Sequence, residues 1–242
     1  MWHGVADALA ARFEVVAIDL RGYGDSSRPA PDPEHLAHSK RCMAADALSV
    51  MAQLGHARFD VCAHDRGARV AHRLAGDHPQ AVRRLMLLDI APTLAMYEGT
   101  TEAFARAYRH WFLLIQPAPL PERLLERDPA FYLRSVTGGR HAGLAVFDPR
   151  ALAEYERCVA QPGSAASVCE DYRADVAAGQ RLGMPVRVLW GRHGAIESCF
   201  DAIGLWRERA DDVSGRAVDC GHYIAEERPA ELLVEMLAFF VA

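Results

Sequence analysis

The chain has 242 residues, 51% of them hydrophobic and 24% charged, the make-up of a folded domain rather than a disordered or fibrous one. Its net charge of -5 leaves no basic footprint for nucleic acid, and no apolar run approaches the roughly 20 residues of a membrane span. The opening Met1-Trp2-His3-Gly4 is not a basic stretch leading into an apolar core, so no signal peptide is expected. Cys42, Cys62, Cys158, Cys169, Cys199 and Cys220 form neither a C-x-x-C pair nor a zinc-finger spacing. They read as reduced thiols, and the expected location is cytoplasmic.

The elements follow in chain order. Residues 14–19 (EVVAID) are short, apolar and β-branched and predict a buried strand. Residues 40–54 carry Met43, Ala44, Ala47, Leu48, Met51 and Leu54 on one helical face and stop at Gly55. A weaker strand is expected at 59–63, a helix at 70–77, and a strong strand at 83–89. From about Thr93 to Gly183 the patterns are helical, punctuated by Gln116-Pro117-Ala118-Pro119-Leu120-Pro121. Strands return at 186–190 and 216–219, and an amphipathic helix closes the chain at 232–240. Alternating strands and helices predict an α/β fold with a mostly parallel sheet. An all-helical insertion between two of its strands predicts a lid over the C-terminal strand ends, where such sheets bind ligands. The expected division is therefore a core at 1–92, a lid at 93–183 and a second part of the core at 184–242.

Ala63-His64-Asp65-Arg66-Gly67 lies between a strand and a helix, with small residues two positions either side of Asp65. That is the pattern of a nucleophile elbow, a sharp turn that holds its central residue in a strained conformation. The competing reading is an ordinary aspartate cap at a helix start. A carboxylate at the elbow cannot usefully attack an amide, but it can displace a leaving group from sp³ carbon or open an epoxide. Asp89, at the end of the next strand, and His222, after the last one, follow in the order nucleophile, acid, histidine. His222 would take a proton from water, and Asp89 would hold its tautomer. Asp201 is the second candidate for the acid, although it reads equally well as a helix cap. His64 is expected to be a buried support and Tyr23 a packing residue.

These residues resemble the haloacetate (fluoroacetate) dehalogenases, relatives of haloalkane dehalogenases and epoxide hydrolases, over nearly the whole chain. The resemblance rests on Asp19-Leu20-Arg21-Gly22-Tyr23-Gly24-Asp25-Ser26-Ser27, which many hydrolases share. It rests more specifically on His64-Asp65-Arg66-Gly67-Ala68-Arg69, and further on Leu88-Asp89-Ile90-Ala91-Pro92-Thr93, Tyr108-Arg109-His110-Trp111, Cys169-Glu170-Asp171-Tyr172-Arg173 and Cys220-Gly221-His222. It implies an α/β-hydrolase fold with a helical lid, and hydrolysis of a haloacid through an alkyl ester on Asp65. It also implies a carboxylate clamp of Arg66 and Arg69, and halide donors His110, Trp111 and Tyr172. No cofactor or metal is implied. The partner is a small haloacid, and a homodimer is possible in this family.

Two departures qualify the resemblance. Family members carry a strand and an H-G-F-P-type turn before a Trp-His pair, whereas this sequence opens on Trp2-His3, so an N-terminally truncated fold is expected. The missing strand would lie between those at 14–19 and 59–63. The linker between Arg173 and Gly183 is also shorter than in relatives. Two alternatives remain open. One is an epoxide hydrolase using Tyr172 with one of Tyr97, Tyr108, Tyr132 or Tyr155. The other is a non-catalytic remnant. Two arginines beside the elbow favour an anionic substrate over a neutral epoxide. With no serine at the elbow, an ordinary esterase is the weakest reading.

Overall fold

The computed structural model describes residues 1–174 and 181–241. Four parallel strands, β1 (Phe59–His64), β2 (Val82–Leu88), β3 (Val186–Gly191) and β4 (Val213–Val218), form one sheet in the order β1-β2-β3-β4. Around them lie α1 (Ala6–Ala10), α2 (Lys40–Gln53) and α3 (Asp65–Asp77). Between β2 and β3 come α4 (Thr93–Glu98), α5 (Glu102–Ala107), α6 (Arg109–Leu114), α7 (Leu120–Arg127), α8 (Pro129–Thr137), α9 (Pro149–Val159) and α10 (Ser164–Arg173). The chain then continues through α11 (Ala195–Cys199), α12 (Ala202–Arg207), α13 (Ile224–Glu227) and α14 (Pro229–Val241). Between β2 and β3 the described residues hold helices joined by turns and loops, and their one β-type pairing is an isolated bridge between Leu182 and Ala210.

Strand alternation builds two cores from one sheet. Leu85 and Leu87 face one side with Val186 and Val188, against Met43 on α2, Val70, Ala71 and Leu74 on α3, and Trp206 on α12. Met86, Leu88 and Leu189 face the other side, against Leu9 on α1 and Leu232, Met236, Phe239 and Phe240 on α14. Leu85 through Leu88 are all fully buried, so this strand is covered on both faces. A third cluster, built on Met96, Phe104, Trp111, Leu114 and Cys169, packs the helical insertion on Ile196 and Ala202 beyond β3.

One expected strand is absent. Residues 14–19 have no regular secondary structure and join no ladder of the described sheet, which ends at β1. Val15 and Ile18 are 39% and 42% exposed. An apolar, β-branched run becomes a strand only beside a neighbour that can pair its backbone, and none stands there. The linker between Arg173 and Gly183 runs through residues 175–180, outside the described residues.

Candidate active site

The sheet brings three strand ends to one edge. His64 pairs with Leu88 and Leu88 with Leu189, so the residues that follow β1, β2 and β3 emerge side by side. Asp65 follows β1 and opens α3, with φ at +44°. Asp89 follows β2, with φ at +51°. A non-glycine side chain in the left-handed region is strained, and such strain collects at functional sites. At Gly67 a Cβ would meet nothing within 4 Å, so crowding does not account for glycine there. A Cβ at Gly191 would lie 1.9 Å from the Gly221 carbonyl oxygen, so glycine at the end of β3 lets the loop bearing His222 close on the sheet.

His222 stands between the two carboxylates. Its Nδ1 lies 2.5 Å from Asp89 Oδ2, and its Nε2 lies 3.5 Å from Asp65 Oδ2. The Gly191 N–H donates to Asp89 Oδ1 at 2.8 Å, which fixes the carboxylate behind the imidazole. Asp201 instead accepts from Gly204 N at 2.9 Å as the cap of α12, so Asp89 is the acid in contact with His222. Burial lowers the His222 pKa, but the bonds to Asp65 and Asp89 outweigh it and leave it raised. Burial raises the Asp65 carboxyl, but His222, with help from Arg69, holds it well below the usual range. Asp65 Oδ1 is buried without a hydrogen-bond partner. His64 is buried, with its Nε2 2.8 Å from the His222 carbonyl oxygen, a support for the loop.

Asp65 and Arg66 border a cavity of about 440 Å³, together with His110, Tyr172 and Tyr223. Much of its remaining wall is apolar, including Leu114, Leu125, Leu133, Val136 and Val168. The Arg66 guanidinium stacks 3.9 Å over the Tyr172 ring. Its Nε donates to Asp171 Oδ2 at 2.7 Å and its Nη2 to the Asp171 carbonyl at 2.8 Å. Asp171 also takes Lys40 Nζ at 2.6 Å and the Tyr23 hydroxyl at 2.5 Å. Tyr23, expected only to pack, thus lines the cavity and hydrogen-bonds within this network.

Arg69 does not border that cavity. Its Nη1 donates to Thr93 Oγ1 at 2.6 Å, and its guanidinium lies 4.5 Å over the Trp111 ring. It is 3% exposed, and burial lowers its pKa. His110, Trp111 and Tyr172 come together, with the Tyr172 ring 6.1 Å from that of His110 and 6.3 Å from that of Trp111. Burial pushes the His110 pKa down to about 3, so its imidazole is neutral near pH 7. Trp111 is fully buried, with Nε1 lacking a hydrogen-bond partner, and does not line the cavity. Sequence reasoning missed Lys40, the role of Asp171, and Arg140, which borders the cavity with its guanidinium 4.7 Å over the Tyr108 ring.

In chemical terms the arrangement offers a partly desolvated carboxylate, an imidazole oriented by a second carboxylate, and a guanidinium in the same wall. The chain belongs to the alpha/beta hydrolase fold family, whose model matches residues 1–229. It is a hydrolase of that type, similar over most of its length to proteins with two related activities. A fluoroacetate dehalogenase from Burkholderia sp is 38% identical, with 98% of this chain and 83% of that protein covered. A soluble epoxide hydrolase from Corynebacterium sp. (strain C12) is 34% identical, with 99% and 85% covered. A solved α/β-hydrolase-type structure from Nostoc sp PCC 7120 superposes with a TM-score of 0.95 at 50% identity, covering 99% of this chain and 85% of that one.

Proposed function

We propose that this hydrolase removes halide from a small 2-haloacid such as haloacetate, with Asp65 as the nucleophile. The substrate carboxylate rests on Arg66, and Arg69 adds positive charge from behind the wall. A carboxylate oxygen of Asp65 attacks the carbon bearing halogen. The carbon–halogen bond breaks with its electron pair on the halide, leaving an alkyl ester on Asp65. His110 and Tyr172, which line the cavity, present N–H and O–H groups to the departing halide, and the indole N–H of Trp111, buried behind them without a partner, would reach it only if the wall shifts. His222 then takes a proton from water, and the hydroxide adds to the ester carbonyl of Asp65. Collapse frees the hydroxy acid and restores the carboxylate, while Asp89 stabilises the imidazolium. The sum is haloacetate plus water giving glycolate, halide and a proton.

The observation that carries this reading is Arg66, a buried and oriented guanidinium in the same cavity wall as the Asp65 carboxylate. Asp171 takes its Nε and Nη2, and a substrate carboxylate would take Nη1, a donor that a neutral substrate would use less well. The dehalogenase among the relatives supports the same choice. A second reading is opening of an epoxide by the same Asp65, His222 and Asp89. Tyr132 and Tyr172 both line the cavity, the Tyr132 hydroxyl is buried and unpaired, and 440 Å³ exceeds what haloacetate fills. Two phenols of that kind suit the oxygen of an opening epoxide.

Halide release from fluoroacetate and chloroacetate, measured beside diol formation from styrene oxide on one preparation, separates the two. Halide release is expected. Diol without halide would move the assignment to the epoxide reading. Neither product from a demonstrably folded chain would leave a non-catalytic member of the fold.

A further inference from the structure

A second cavity, of about 400 Å³, is walled by His222 rather than by Asp65. Its ionic side chains among the described residues are Arg106, Arg109, Arg140 and Arg192, with no carboxylate among the described residues of its wall. In a chain with more acidic than basic residues, four arginines lining one cavity without an acid run against the composition. His141 and His193 stack at 4.2 Å in the same wall. Arg106, Arg109, Arg192 and both of these histidines are exposed, Arg140 is half-buried, and His110 and His222 are buried. The cavity therefore runs from a basic rim to a floor of imidazoles.

Three carboxylates outside the wall each pair with one residue of it. Glu102 pairs with Arg106 at 2.7 Å, Asp219 with His193 at 2.8 Å, and Asp89 with His222. Arg109 donates to the Ser135 carbonyl at 2.9 Å. Among the described residues, neither Arg140 nor Arg192 has an ion-pair partner. His110, Val136 and Arg140 border both cavities and form the seam between them, Arg140 and His110 being its polar members.

We infer that this second cavity is an anion vestibule, a binding site for one small monovalent anion (a halide or a short carboxylate), joined to the catalytic cavity at Arg140 and His110. A concave surface of one charge, walled by protein, concentrates field lines and holds counter-ions that bulk solvent would screen. Guanidinium groups supply several N–H donors to an anion in fixed geometry. The site stands on its own geometry. Under the dehalogenation reading it would gather an anionic substrate and carry halide away.

Bromide is the probe, because it scatters anomalously and can be located without any turnover. Crystals of the whole chain soaked in sodium bromide should show an anomalous peak in contact with Arg140 and with Arg109 or Arg192. The peak should vanish in the Arg109→Gln/Arg192→Gln variant. In solution, chloride-35 line broadening should report an affinity about tenfold weaker for that variant. Both substituted residues lie on the exposed rim, and an unchanged melting temperature would show that the fold is intact. No peak in this cavity, or a peak and an affinity unchanged by the double substitution, would overturn the inference and leave an adventitious ion only. A chain that binds bromide here yet releases no halide from haloacetate would lose the proposed reaction and keep the vestibule. Halide release without the bromide site would do the reverse.

Discussion

Asp171→Asn should be among the most destabilising isosteric substitutions in this protein. The Asp171 side chain is fully buried on α10, in the helical insertion. It receives Lys40 from α2, Arg66 from α3 and the Tyr23 hydroxyl. Burial alone would raise its carboxyl, but Arg66 and Lys40 hold it well below the usual carboxylate range. Asparagine keeps the shape and removes the charge. Lys40 and Arg66, whose side chains are only 15% and 13% exposed, are then left without a counter-charge. Removing one partner of such a buried pair costs about 3–5 kcal/mol. For a chain of this length, each kcal/mol is worth about 2–4 °C, so the melting temperature should fall by roughly 6–20 °C at pH 7.

The same network predicts how that deficit depends on pH. Burial and Arg66 lower the Lys40 pKa from 10.5 to about 8 even with Asp171 present. Between about pH 8 and 10.5 the unfolded chain therefore binds more protons at Lys40 than the folded one, and this group's contribution to stability grows with pH there. Without Asp171 the Lys40 pKa drops further, so near pH 9 only Arg66 is left stranded and the deficit shrinks. Urea unfolding followed by circular dichroism at pH 7 and pH 9 measures both effects. A loss below about 1 kcal/mol at pH 7, or a deficit that does not shrink at pH 9, would refute this account of the network.

His222→Asn should still release one equivalent of halide and then stall, because displacement at carbon needs only Asp65 while ester hydrolysis needs a base. Mass spectrometry should find the acid residue on the peptide containing Asp65, and halide release with no adduct would sink the assignment. In single turnovers of the unaltered chain, halide release should be flat across about pH 6–9, since the Asp65 carboxyl is held well below that range. Ester hydrolysis should instead rise with pH as His222 loses its proton. Its midpoint should lie below that of the free enzyme, because the ester has removed the Asp65 charge that helps raise the His222 pKa. A halide-release step that follows the same rising limb would argue against Asp65 as the attacking group.

The parts of this site that could be read from sequence were those fixed by local stereochemistry. A tight strand-to-helix turn at Asp65, an aspartate ending the next strand and a histidine after the last one leave marks within a few residues of themselves. Long-range matching leaves none. Residues 14–19 look like a strand because their composition is that of one, but a ladder depends on what lies alongside. Helical spacing puts Arg66 and Arg69 on one face of α3, yet it does not say that Arg69 turns away to Thr93 and Trp111 while Arg66 borders the cavity. Lys40 opens an amphipathic helix, where a lysine is ordinarily solvated. Only the arrival of Asp171 from 131 residues away buries it. Arg140 stands beside glycines in a stretch with no recognisable pattern, and its importance comes entirely from the two cavities that meet at it.

Charge balance gives the strongest reason to prefer an anionic substrate. A carboxylate nucleophile that attacks a molecule carrying its own carboxylate must bring two anions together in a poorly solvated space. At effective dielectric constants near 20, two unit charges about 4 Å apart repel by roughly 4 kcal/mol, enough to slow attack about a thousandfold if nothing offsets it. Among the buried and half-buried groups around the catalytic cavity, four cations, Lys40, Arg66, Arg69 and Arg140, stand against three carboxylates, Asp65, Asp89 and Asp171, while Glu126 borders the cavity as an exposed side chain. Among these desolvated groups the excess is one positive charge before His222 is counted; the exposed Glu126, whose charge water screens, would cancel it in a bare count. Asp171 is shared between Arg66 and Lys40, and Asp89 is held by His222 and Gly191, so Arg69 and Arg140 are the cations with no carboxylate bonded to them. That surplus is what an incoming carboxylate requires and what a neutral epoxide would leave unmatched in a largely apolar wall. An enzyme built only for epoxides would gain by losing it.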